Sequence, residues 1–241
     1  MLENLSSFFK NLLFPVTCVS CGNEGVWCCG SCLALLTVRS HQQCPLCQRP
    51  TSNGEVCPNC LSSSQLDGVT ALYDYRENSP VAKLIKTCKY RFSDDISTVL
   101  PDLVRRVGVE VWAHLLRQKG VVSCVPVPLH PRRERERGFN QAALITEAMT
   151  PIWSSLGLAI DARREHLLTR VRYTTPQAEL GAVERRTNLQ GAFSFNSSGT
   201  VPEHVVLIDD VFTTGSTMQE CAHELKQHGV KWVWGVVLAR G

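Results

Sequence analysis

At 241 residues the chain is long enough for one or two soluble domains, since roughly 100 to 200 residues make a domain, and a single small motif is excluded. A hydrophobic fraction of 44% against 20% charged is the ordinary globular mixture and excludes a disordered chain. The formal net charge of +3 is too mild for a polybasic protein, so any phosphate or nucleic-acid binding must come from local clustering.

In chain order, Leu2, Leu5, Phe8, Phe9, Leu12 and Leu13 suit one short amphipathic helix packed on the cysteine-rich segment after it. Glu3, Asn4, Lys10 and Asn11 interrupt this run, which therefore fails as a signal peptide. No stretch approaches the roughly 18 to 20 uninterrupted apolar residues that span a bilayer. The expectation is a cytoplasmic protein with reduced thiols and no membrane insertion.

Nine of the 12 cysteines fall between Cys18 and Cys60, eight of them in C-x-x-C pairs: Cys18/Cys21, Cys29/Cys32, Cys44/Cys47 and Cys57/Cys60. Two such turns place four thiolates around one tetrahedral metal with no position left for water, which makes a structural site. Short loops with Gly22, Gly25, Gly30, Pro45, Gly54 and Pro58 join the knuckles as in zinc ribbons. Two Zn ions are expected. Sequential pairing would use Cys18, Cys21, Cys29 and Cys32, then Cys44, Cys47, Cys57 and Cys60; a cross-brace would interleave them. Cys28 is a spare thiol. So small a segment needs the staple, which supplies about 10 to 16 kcal/mol of apparent binding energy. With Arg39, Arg49 and Trp27 but no lysine between Cys18 and Cys60, the segment is a scaffold or docking module rather than a phosphate-tracking surface.

From Gln65 onward the texture changes to alternating strands and helices. Strands are predicted at Val69 to Tyr75, Val121 to Val127, Val205 to Ile208 and Trp232 to Leu238, and helices at Val81 to Cys88, Asn140 to Leu156 and Ser216 to His228. Apolar runs such as VVLI and VWGVVL read as strands buried on both faces, hence an α/β fold with a mostly parallel sheet flanked by helices. The division is residues 1–64 for the helix and double zinc ribbon and 65–241 for the α/β domain.

The sharpest feature is VVLIDDVFTTGST, from Val205 to Thr217. A buried strand runs out at Asp209 and Asp210, and a hydroxyl-rich loop (Thr213, Thr214, Gly215, Ser216, Thr217) opens a helix. Backbone N–H groups and hydroxyls at a helix start suit a phosphate, and acids at a strand's carboxyl end suit sugar hydroxyls or Mg. Upstream, VPVPLHPRRERERGFNQ is a strand, then a charged loop over Arg132 to Glu136, then Arg137 and Gly138 leading into a helix. Its arginines suit pyrophosphate, although Arg132 to Glu136 also reads as a self-neutralising solvated loop. Arg170 to Phe193, with Arg185, Arg186 and Asn188, reads as a lid over phosphates or as a plain loop and helix start.

All 13 positions from Val205 to Thr217 agree with the PRPP-binding motif of type I phosphoribosyltransferases, which this segment resembles. The resemblance implies that Asp209 and Asp210 contact the ribose hydroxyls of Mg-bound PRPP and that Thr213 to Thr217 hold its 5′-phosphate. Together with the RGFNQ element, the segment TPQAELGAVERRTNLQGAF, the stretch from Leu84 to Arg91 and the cysteine knuckles, the chain resembles the ComF family of competence and DNA-utilisation proteins, of the ComFC and GntX type, in its double-ribbon form. That resemblance implies a role in DNA uptake or natural transformation, handling incoming single-stranded DNA beside a ComFA-type helicase at the inner membrane. Lys83, Lys86, Lys89, Arg91 and the Arg132 to Arg137 loop would supply the basic surface. Alternatives are a true transferase moving ribose 5-phosphate to a base or amine, a PRPP sensor, and a zinc-ribbon adaptor.

Overall fold

The computed structural model describes residues 15–90, 94–118, 120–162, 164, 166–173, 189–196 and 200–241. The expected helix over Leu2 to Leu13 and the candidate residues Arg91, Arg185, Arg186 and Asn188 lie outside them.

The ribbon segment holds a short helix α1 (Gly30–Ala34) and an antiparallel pair, β1 (Gln42–Gln43) with β2 (Pro50–Thr51). The α/β part follows as β3 (Gly68–Asp74), α2 (Pro80–Tyr90), α3 (Leu100–Arg105), α4 (Ala113–Leu116), β4 (Val122–Pro126), α5 (Pro131–Arg137), α6 (Gln141–Ser155) and β5 (Ile160–Asp161). It ends with β6 (Leu168–Arg170), β7 (Phe193–Phe195), β8 (His204–Phe212), α7 (Ser216–Gln227) and β9 (Trp232–Arg240).

Five strands form one sheet in the order β3-β9-β8-β4-β5, every neighbouring pair parallel. Alternation along β8 shows why its run of apolar residues is continuous. Val206 and Ile208 face a core built with α2, α3 and α6, whereas Val205 and Leu207 face a second core built with α7. A strand covered on both faces has no polar side to display. β6 and β7 form a separate antiparallel pair beside α7.

The ribbons cover the exposed edge of β3, which would otherwise offer unpaired backbone groups to another chain. Arg39 N donates to Leu72 O at 2.7 Å and Val69 N to Gly54 O at 2.8 Å. The Gln42 amide receives Ala71 N and donates to Ala71 O, imitating a strand partner. Gly54, at φ +94°, lies so close to the Val69 carbonyl that a Cβ there would overlap it.

Two sequence expectations change. β8 and β9 run past the apolar residues to Phe212 and Arg240, so both acids belong to the strand itself. The charged stretch expected as a loop is the helix α5. Pro131 stands at its first turn, His130 Nδ1 accepts from Arg132 N, and Gly138 closes it at φ +87° with its N–H on Glu134 O. An apolar stripe is what sequence reading detects, and a helix solvated all round has none.

Candidate functional site

The eight paired cysteines gather sequentially, Cys18, Cys21, Cys29 and Cys32 in one cluster and Cys44, Cys47, Cys57 and Cys60 in the other, with all ligand atoms of a cluster within 4.8 Å of one another. Sγ atoms of Cys21 and Cys29, and of Cys47 and Cys57, are 3.6 Å apart. That is close to the edge, about 3.8 Å, of a tetrahedron with Zn–S near 2.3 Å. The two clusters repeat one another: Cys29 N points at Cys18 Sγ as Cys57 N points at Cys44 Sγ. Burial disfavours the thiolate at Cys18 and Cys44, yet the surrounding backbone N–H groups outweigh it and bring both down to about 6. All-thiolate, closed sets of this kind fit two structural zinc ions. Cys28 stays outside, its thiol pushed up to about 11 first by burial and then by Cys18 and Cys29.

The second constellation follows from topology. β4 leads through α5 and α6 outward to β5, while β8 leads through α7 the other way to β9, so connections diverge between the neighbours β4 and β8. Ligands of open α/β sheets settle in the crevice at such a divergence, outside the carboxyl ends of the strands. There stand Asp209, Asp210 and the loop from Thr213 to Thr217 on one side, and the turn from Val127 to His130 with α5 on the other.

Gly215 makes the loop. Its φ of +75° suits glycine, and an added Cβ would overlap the Phe212 ring. Thr214 and Ser216 hydroxyls lie 2.9 Å apart, and Ser216 begins α7. Along that helix a groove of about 590 Å³ is lined by Thr214, Ser216 and Gln219 and by the second ribbon's Cys47, Cys60 and Ser63.

The acid pair is held by a residue that sequence reasoning assigned elsewhere. Lys89 of α2, expected on a DNA-facing surface, puts Nζ 2.7 Å from Asp210 Oδ2. Burial would strip its proton, but Asp210 outweighs burial and raises its pKa. Asp209 is pushed by burial, then by Asp210, up to about 7, against the pull of Lys89 and Arg170. Arg170, the first residue of the candidate lid segment, lies on β6 buried over the Phe193 ring; no spacing in the sequence links it to Asp209. Arg137 Nη1 donates to Gln141 Oε1 at 2.5 Å, and its charge reaches Lys89 and Cys88. Gly138 is exposed at the end of α5. The strand end is tied to α6 by Asn140, whose Nδ2 donates to Val127 O and whose Oδ1 caps Ala142 N.

A family model described as "Double zinc ribbon domain" matches residues 9–61. Competence protein F of Haemophilus influenzae is 30% identical over 230 residues, spanning 88% of this chain and 96% of that protein. The chain belongs to the ComF family. Within the family, DNA utilization protein YhgH of Escherichia coli K12 is 31% identical over 210 residues (85% of this chain, 87% of the relative). Competence protein ComFC of Bacillus subtilis is 28% identical over 218 residues (83% and 78%). The names of these ComF relatives speak of competence and DNA utilisation. Among the described residues, no helix is long and apolar enough to cross a membrane.

Proposed function

We propose that this chain binds Mg-PRPP at the β4/β8 crevice and acts in DNA uptake or utilisation, handling incoming single-stranded DNA. The observation that carries the reading is the acid pair at the end of β8 followed directly by a glycine-turned hydroxyl loop at the start of α7. Asp209 and Asp210 are acceptors for ribose hydroxyls and Thr213 to Thr217 supply donors to a 5′-phosphate. Mg, when bound, would screen the pyrophosphate; Arg137 and Lys89 bring fixed cations to the same side. Arg185 and Asn188 extend this set by family resemblance.

The DNA part rests on the relatives' names and on one surface. Tyr173 is 46% exposed, with the guanidinium groups of Arg132 and Arg133 at 5.1 and 5.5 Å from its ring. An aromatic face flanked by cations is what sequence-tolerant base stacking requires. Lys83 and Lys86 are exposed along α2 and extend the positive charge. A ComFA-type helicase partner, and a position at the inner membrane through it, belong to the same reading.

The transferase reading is favoured by cations gathered beside the acid pair, Lys89 on Asp210 and Arg137 near Lys89, which would stabilise departing pyrophosphate. The cavity beside Asp210, between α2, α3 and α6, has about 20 Å³, room for one water and not for an acceptor base. Calorimetric titration of Mg-PRPP into zinc-loaded protein tests the site. Binding that Asp209→Asn/Asp210→Asn abolishes supports it, and no heat with the wild type sinks it.

A further inference from the structure

We propose that the second zinc ribbon is the mount of the phosphate loop and that Arg240 is the positioning residue joining the two. This rests on the reading of Thr213 to Thr217 as the 5′-phosphate loop.

Arg240 ends β9 and is 3% exposed. Its Nη1 donates to Gln43 O at 2.8 Å and its Nη2 to Cys44 O at 2.9 Å, so the guanidinium grips the backbone at the first cysteine of the second cluster. The same guanidinium lies 5.0 Å from the centre of the Phe212 ring, directly across the β8/β9 register. That ring in turn fills the space under Gly215. A continuous line of contact therefore runs from Cys44 through Arg240 and Phe212 to the glycine that turns the loop.

A second line ends at the same residue. Past the last ribbon cysteine, Gln65 N donates to Gln219 Oε1 at 2.8 Å, and Gln219 Nε2 donates to Ser64 Oγ at 3.1 Å. Gln219 N closes the first turn of α7 on Gly215 O at 2.9 Å. The second ribbon's backbone at Gln43 and Cys44, and the segment that leaves the ribbon at Ser64 and Gln65, thus hold the two sides of one turn.

Charge explains why the link involves the metal. A buried guanidinium needs a counter-charge. The guanidinium is seated against the second ribbon at the carbonyl of Cys44, itself one of that cluster's ligands, and at that of the residue before it. Four thiolates around a divalent ion remain net negative, so the loaded ribbon supplies the counter-ion, and hydrogen bonds next to the ligands orient them in return. Losing the ion frees the ribbon backbone, then Arg240, then Phe212. The first ribbon has a different attachment: its Trp27 and Leu36 pack into the core on the other face of the sheet.

The test uses the full, zinc-loaded chain and three variants: Arg240→Met, Gln219→Ala and Cys57→Ser/Cys60→Ser, with Cys29→Ser/Cys32→Ser as the first-site control. Amide hydrogen exchange across residues 211–217 is read without ligand, alongside zinc content and Mg-PRPP affinity. The expected result is loop exchange faster by about tenfold or more and affinity weaker by a similar factor in the three variants, with Arg240→Met keeping its first-site zinc and the control near wild type. Unchanged loop exchange in Arg240→Met and Gln219→Ala overturns the proposal, as does an equal effect from the control. Should Arg240→Met fail to fold, the half-buried Gln219→Ala and the second-site variant decide. Should the wild type not bind Mg-PRPP, the ligand reading falls, and the exchange data alone still settle the coupling.

Discussion

Lys89 Nζ sits 2.7 Å from Asp210 Oδ2, joining the end of α2 to the end of β8 across the crevice. Two adjacent carboxylates in a buried site repel each other, and this ammonium opposes the combined push of burial and Asp210 on the Asp209 carboxyl.

Replacing Lys89 with Met should therefore raise Asp209's affinity for its proton further. Mg-PRPP binding is expected to weaken by about tenfold near neutral pH and to recover as pH is raised, while Lys89→Arg keeps the wild-type profile. Titrations across pH 6 to 9 measure this; a pH profile in Lys89→Met parallel to the wild type's would remove Lys89 from the site.

Asp209 carries a cost in stability. In the fold its carboxyl holds a proton up to about pH 7, and in the unfolded chain only to about 4. The folded state binds the proton more tightly, so this group's contribution is fully present below about pH 4 and is lost as pH rises to about 7. Asp209→Asn should raise the thermal midpoint at pH 8, by about 1 to 2 kcal/mol of stability, and flatten its dependence between pH 4 and 7. Thermal unfolding over that range decides it, a steeper or unaltered slope counting against the buried-acid account.

Gly215→Ala forces a Cβ into a left-handed turn and onto the Phe212 ring. The conformational strain is about 1 to 2 kcal/mol and the overlap adds about 1 to 3. Affinity for Mg-PRPP should be lost with the far-ultraviolet circular dichroism retained. Phe212→Leu in the same chain should relieve the overlap but not the strain, giving partial recovery of stability.

Tyr173→Ala should weaken binding of single-stranded oligonucleotides by about 1 to 3 kcal/mol irrespective of sequence. Arg132→Ala/Arg133→Ala should instead flatten the dependence of affinity on salt. Fluorescence titrations at several ionic strengths separate the two, and salt-insensitive binding by the wild type would argue against a phosphate-tracking surface.

Metal analysis should find about two zinc ions per chain, with Cys29→Ser/Cys32→Ser and Cys57→Ser/Cys60→Ser each lowering it by about one. Loss of both ions from either single-site variant would show that the two ribbons do not load independently.

The features legible before any fold was known share one physical character: they depend on spacing along the chain. Four C-x-x-C turns, an apolar run ending in two acids, and TTGST opening an amphipathic helix are local patterns, and local backbone geometry is enough to bring their groups together. Strand ends were less visible, because Asp209 and Asp210 look like a loop until Val237 and Ala239 are seen beside β8. The helix α5 was invisible because it has no apolar face.

Spacing along the chain was therefore enough for the α/β character, the two cysteine sets and the acid-plus-hydroxyl loop. Tertiary structure alone decided that the cysteines pair sequentially, that Lys89 turns to Asp210 rather than to solvent, that Arg170 stands near Asp209, and that Arg240 ties a zinc ribbon to Phe212. These are encounters between residues far apart in the chain, and no periodicity encodes them. Sheet order and burial set which distant charges must find each other, since a charge taken out of water is tolerable only beside its partner.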